Sequence, residues 1–189
     1  MVEFTKLPKL EMPQDVANNE TCSTMWYELN EQIGQLNKKR VRITECFDKG
    51  SLFKVEQMLY DYLGDEIATR EAIDDWYAES SLAIRNETKA QEGYAISVQQ
   101  QIAEKLKEIG FTNLAFAGEH PSCVQERRRI NKMQQIRTQL CREQNNNQTA
   151  LNQVRRQLQQ FENRTMANFM LPTKPSAGGI VDDKDTGVR

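Results

Sequence analysis

Proline is scarce in this chain. Its five prolines stand at 8, 13, 121, 172 and 175 of 189 residues, so residues 14–120 and 122–171 lack the residue that most strongly breaks helices. Histidine occurs once, at His120. The four cysteines, Cys22, Cys46, Cys123 and Cys141, form no CxxC pair. A zinc site needs closely spaced ligands, so neither a metal nor another cofactor is expected, and the cysteines read as free thiols. No apolar run reaches the ~18 residues of a membrane span, so no transmembrane segment is expected. The first residues, MVEFTKLPKLEMPQD, lack the continuous apolar stretch of a secretory signal. The expected location is therefore intracellular, cytoplasmic or within a viral particle, and not secreted. The N-x-T triplets at Asn19, Asn86, Asn147 and Asn163 then read as products of composition rather than as glycan acceptors.

Catalytic groupings are missing as well. There is no glycine-rich phosphate loop, and no nucleophile stands with a base. Glu119-His120 is completed by nothing nearby, while Asp65-Glu66 and Asp74-Asp75 read as solvated helix surface. An enzyme is not expected.

Apolar residues make up 38% of the chain and aromatics 7%, against 28% charged residues and a further 31 Gln and Asn. So little apolar surface must be gathered into narrow stripes, as in paired helices with two apolar positions in seven. Residues 1–19, with two prolines and no period, read as an extended N-terminal arm. Cys22, Trp26, Leu29, Ile33, Leu36, Arg40, Ile43 and Phe47 then step by four and three, a heptad seam broken once by Arg40. The spacing predicts a helix over 20–49, closed by Gly50, with Ser51 capping the next.

The second helix is expected over 51–109. Gly64 interrupts it, and the stretch 85–93 is polar all round. Residues 110–121 (GFTNLAFAGEHP) read as a loop whose Phe111, Leu114 and Phe116 fold back over a helix end, or dock a partner. Ser122 and Gln125 fit a capping box for a third helix over 122–170. Its seam is Ile130, Met133, Arg137, Leu140, Gln144, Asn147, Leu151, Val154, Leu158 and Phe161, continuing to Thr165 and Asn168. Residues 171–189, rich in Pro, Gly and polar residues, read as a disordered tail.

Charge separates the segments. Residues 51–109 carry twelve acids and six bases, net −6, while residues 122–170 carry three acids and nine bases, net +6. Helices of opposite charge are suited to lie side by side. Polar seam residues Arg40, Arg137, Gln144 and Asn147 suit control of register, with splaying of 142–148 as the alternative. A lone Gln144 amid hydrophobic layers resembles the central layer of SNARE helices, although Asn147 in the next layer departs from that pattern. Arg127, Arg128, Arg129 and Lys132 form a possible patch for an anionic partner, nucleic acid included.

These observations predict an all-α fold, an elongated antiparallel helical hairpin or three-helix bundle with long coiled-coil segments. The last helix, or the ends of the last two, is expected to extend past the first as a free coiled-coil arm. The expected function is a non-enzymatic assembly subunit, a homo- or hetero-oligomer whose seams bind other helical proteins. A cytoskeletal or motor adaptor, a SNARE-like vesicle tether and a nucleic-acid-binding helix are the alternatives.

Overall fold

The computed structural model describes residues 6–113 and 115–170, with side chains as far as Thr165. The fold is all-α: α1 (Glu20–Asp48), α2 (Leu52–Glu108), the short α3 (Ala115–Glu119) and α4 (Pro121–Met170). The expected bounds 20–49, 51–109 and 122–170 hold to within a residue. At 1.5 Å per residue, the 57 residues of α2 extend about 85 Å and the 50 of α4 about 75 Å. The reading of residues 171–189 and the contribution of Leu114 and Asn168 lie outside what is described.

Each boundary has a local cause. Asn19 caps α1, its Oδ1 accepting from the Cys22 amide at 3.0 Å. At the far end Gly50 takes φ +75°, its amide donates to the Phe47 carbonyl, and the Ser51 amide donates to Cys46. This is a Schellman stop, which favours glycine because a Cβ disfavours the left-handed backbone. Gly110, at φ +92°, ends α2 in the same way, with the Gly110 and Phe111 amides reaching Lys107 and Leu106.

Two expected caps do not form. The Ser51 side chain makes no cap bond to α2. The capping box at Ser122 and Gln125 is displaced because α4 starts earlier: Pro121 occupies the first helical position, where its missing N–H costs nothing. His120 becomes the cap, its Nδ1 accepting from the Ser122 amide at 3.2 Å. The stretch expected to be loop also contains α3, capped by Asn113 Oδ1 on the Ala115 amide at 3.1 Å. Gly64 leaves α2 unbroken.

α2 is the shared wall of the molecule. α1 packs antiparallel on one side of it, with Trp76 Nε1 donating to the Cys22 carbonyl at 3.0 Å and Lys39 paired with Asp65. α4 packs antiparallel on the other side, linked by Tyr60 to Glu162, Arg155 to Glu71 and Gln91 to Glu126. No Cα of α1 comes within 8 Å of α4. The three helices thus form an open bundle, and residues 6–19 close the side between α1 and α4. Leu7 and Val16 are buried there with Cys22, Leu29, Ile33, Leu36, Ile73, Trp76 and Ile84. Of the arm expected at 1–19, residues 6–12 are extended and 13–19 form a tight reversal, and Leu7 and Val16 dock these two stretches.

α1 begins beside Trp76 and Ser80 and runs back toward the start of α2. The remainder of α2, from about 85, and α4 to about 135 therefore project past α1 as a two-helix hairpin. The expected extension belongs to both long helices.

Candidate functional site: polar layer and distal groove

The seam residues of α1 divide by neighbour. Leu29, Ile33, Leu36 and Ile43 are buried against the core. Trp26 turns toward the arm, its Nε1 donating to the Leu10 carbonyl at 2.8 Å. Phe47 is a correction: it is 60% exposed. The heptad count carries it to the last turn of α1, but the chain reverses at Gly50 and leaves nothing opposite.

On α4, Met133, Leu140, Leu151 and Val154 are buried, and Ile130, Leu158 and Phe161 are half-buried. Phe161 packs on Tyr60 with ring centroids 5.7 Å apart. Arg137 is the second correction. It is exposed, and Ile136 beside it packs on the core instead. A helix of 3.6 residues per turn drifts against a strict seven-residue repeat, which brings the neighbouring position inward.

Gln144 and Asn147 are brought into the α2–α4 contact, so residues 142–148 do not splay. Asn147 is buried; its Nδ2 donates to the Arg70 carbonyl at 2.8 Å, and its Oδ1 accepts from Arg70 Nη1 at 3.4 Å. Arg70 is also held by Glu66 one turn earlier, at 3.1 Å, with both side chains largely covered. Gln144 and Gln148 both donate to Asp74 Oδ2, at 3.4 and 3.3 Å. Arg40, half-buried on α1, lies near enough to Tyr62 to favour its ionised form. Burial and the Glu66 carboxylate outweigh that and push the Tyr62 phenol up to about 12.

The basic residues do not form one patch. Arg127 turns to α3 and donates to the Gly118 carbonyl. At 100° per residue, Arg128 faces outward, while Arg129 and Lys132 continue the α4 edge shared by Ser122 and Gln125. That edge borders a groove along the hairpin of about 760 Å³, whose α2 side carries Tyr94, Val98, Ile102, Lys105 and Ile109. Tyr94 is 58% and Ile109 71% exposed. Composition alone missed this groove; the return of apolar spacing from Ala95 to Ile109, beyond the reach of the first helix, was its signal.

Phe111 and Phe116 meet edge to face with centroids 6.1 Å apart, and both remain about half exposed. α3 folds back so that Gly118 lies beside the Gln99 side chain. The four cysteines are free. Among the described residues no three His, Cys, Asp or Glu side chains are grouped to hold a metal ion, and no helix is long and apolar enough to cross a membrane. Compared with models of known families, with curated proteins and with solved structures, the chain matches none.

Proposed function

We propose that the chain is a non-enzymatic assembly subunit, and that its distal hairpin receives an acidic amphipathic helix from another subunit. The observation that carries this is the half-covered apolar face of the hairpin. Two helices alone leave Tyr94, Val98, Ile102 and Ile109 open on one side, whereas the same kind of position on α2 beside α1 is closed, as at Ile73 and Trp76. An amphipathic helix laid in the groove would cover it through contacts at i, i+3, i+4 and i+7. Lys105 lines the groove together with Glu108 and Glu126. Arg129 and Lys132 continue its α4 edge toward the trunk, and it is this basic edge that favours negative charge on the flank of a partner helix.

The test uses two synthetic 28-residue helices with leucine at both seam positions, one flanked by glutamate and one by lysine. Amide exchange of residues 94–109 is followed in the full chain. Slowed exchange with the glutamate helix alone, lost in Tyr94→Lys with Ile109→Lys, is the expected result. No protection by either helix, or equal protection by both, would reject the reading. The basic edge also supports a second reading, nucleic-acid binding. It predicts binding of a DNA duplex that weakens steeply with salt and fails when Arg128, Arg129 and Lys132 are neutralised.

A further inference from the structure

The arm is held on α1 by a device that reads main chain. Asn37 makes two bonds to one arm residue: its Oδ1 accepts from the Leu7 amide at 3.0 Å and its Nδ2 donates to the Leu7 carbonyl at 2.9 Å. One heptad earlier, Asn30 Oδ1 accepts from the Leu10 amide at 3.0 Å. Asn30 is itself oriented by its Nδ2, which donates to the Trp26 carbonyl at 3.1 Å, and Trp26 binds the Leu10 carbonyl. The registers agree for a simple reason. Seven helical residues rise about 10.5 Å, and three extended residues span about 10 Å. Asparagines one heptad apart on a helix therefore meet every third residue of an extended chain beside it.

Side-chain recognition is light. Leu7 is buried and Leu10 half-buried, while Lys6, Pro8 and Lys9 are exposed. The arm does not fill its groove: about 350 Å³ remains between Leu7, Pro8 and Leu10 and the wall formed by Ile73, Tyr77, Glu143 and Asn146. The arm joins α1 through a tight reversal at Pro13–Asn19, in which the Val16 amide bonds to Pro13 and the Asn19 amide to Val16. Val16 is fully buried and anchors that reversal.

From the main-chain pairing and the underfilled groove we propose that the arm is exchangeable. The α1 groove takes residues 6–12 of a second copy of this chain, so copies are tied to one another by their arms. An incoming arm offers the same two leucines and the same amides and carbonyls as the resident one, so it makes the same bonds. Tethering gives the resident arm an effective concentration of about a millimolar. Exchange therefore grows as copies are brought to that concentration, by mass action or by gathering on a common assembly.

Full-length chains carrying ¹⁴N and ¹⁵N are mixed, incubated and treated with a lysine-reactive cross-linker. The Lys6–Lys38 link reports the arm on its groove, and the Lys89–Lys132 link within the α2–α4 hairpin serves as control. The expected result is a mixed-isotope share of Lys6–Lys38 that climbs from near zero at about 10 µM to about one quarter at about 1 mM, the effective concentration of a short tether. Lys89–Lys132 stays single-isotope throughout. Asn30→Leu with Asn37→Leu lowers the Lys6–Lys38 yield several-fold. A Lys6–Lys38 link that stays single-isotope at 1 mM overturns the proposal. So does mixing of both links to the same extent, which would report general association. Tyr94→Lys with Ile109→Lys leaves this readout unchanged, so it fails separately from the distal-groove reading.

Discussion

Asn147 and Asp74 set the alignment of the two long helices, because each is held by specific hydrogen bonds across the α2–α4 contact. Sliding α4 by one turn would take Asn147 from the Arg70 carbonyl and guanidinium and would leave only one of Gln144 and Gln148 beside Asp74. Asn147→Ala leaves the Arg70 guanidinium without one acceptor and is expected to cost about 1–3 kcal/mol in urea unfolding. Asn147→Leu restores apolar contact and recovers much of that loss, but broadens the amide resonances of α4, because the alignment is no longer specified. A Leu variant with wild-type line widths would mean that other contacts set the register. Trp76 decides stability rather than register. It is fully buried and bonded to the Cys22 carbonyl, so Trp76→Ala is expected to cost about 3–5 kcal/mol.

Tyr62 adds a pH dependence with a definite sign. Its folded-state value near 12 lies above the ordinary phenol value of 10, so the folded chain holds the proton more tightly than the unfolded one. That stability is complete below pH 10 and is lost as pH rises through 12. Burial raises Tyr77 and Cys22 in the same direction. The melting temperature is thus expected to fall steeply above pH 10, and less steeply in Tyr62→Phe; superimposable curves for the two proteins would reject the assignment.

At the scale of elements, pattern and boundary were legible for different reasons. Leu29, Ile33, Leu36 and Ile43 were readable because a seam repeats. Gly50 and Gly110 were readable because a helix ending in a Schellman motif favours a residue without a side chain. The failures also have causes. Ser122 looked like a cap because Ser and Gln stood at the right spacing, yet His120 is the cap, two residues earlier, and Pro121 the first helical residue. Phe47 and Arg137 were misplaced because a heptad count neither senses where a neighbour ends nor follows helical drift. The docking of Leu7 and Val16 left no periodic trace, since Leu7 lies in a short extended stretch and Val16 in the Pro13–Asn19 reversal, and neither repeats. Gly64, which looked like an interruption, lies in continuous helix with no atom within 4 Å of where a Cβ would stand. Gly64→Ala is expected to stabilise the chain by about 1 kcal/mol. A loss of stability would show that this surface is covered in solution.

At the scale of the whole molecule, stability is divided along its length. The trunk, where α1, the arm, α2 and α4 meet, holds the large buried side chains Trp76, Ile33, Leu63 and Ile84. The hairpin beyond α1 contributes Thr88, Ala117, Cys123 and Met133 as its buried residues, and its other apolar groups are half-covered or open. Regions with few buried contacts open locally at free energies far below the global value. Amides of residues 94–109 and 122–130 are therefore expected to exchange at least tenfold faster than those of 62–84, although both stretches are continuous helix. Salt should change this little, because the exposed Arg155–Glu71 pair stands at half exposure on the trunk and such pairs contribute about 0.2–1 kcal/mol. The thiols give an independent view of the same gradient. Exposed Cys141 should be alkylated at once, buried Cys22 only on global unfolding, and Cys123, buried but within the hairpin, at an intermediate rate set by local opening. If Cys123 instead reacted as slowly as Cys22, the hairpin would be as stable as the trunk. The open groove at Tyr94 and Ile109 would then need no partner to hold its helices together.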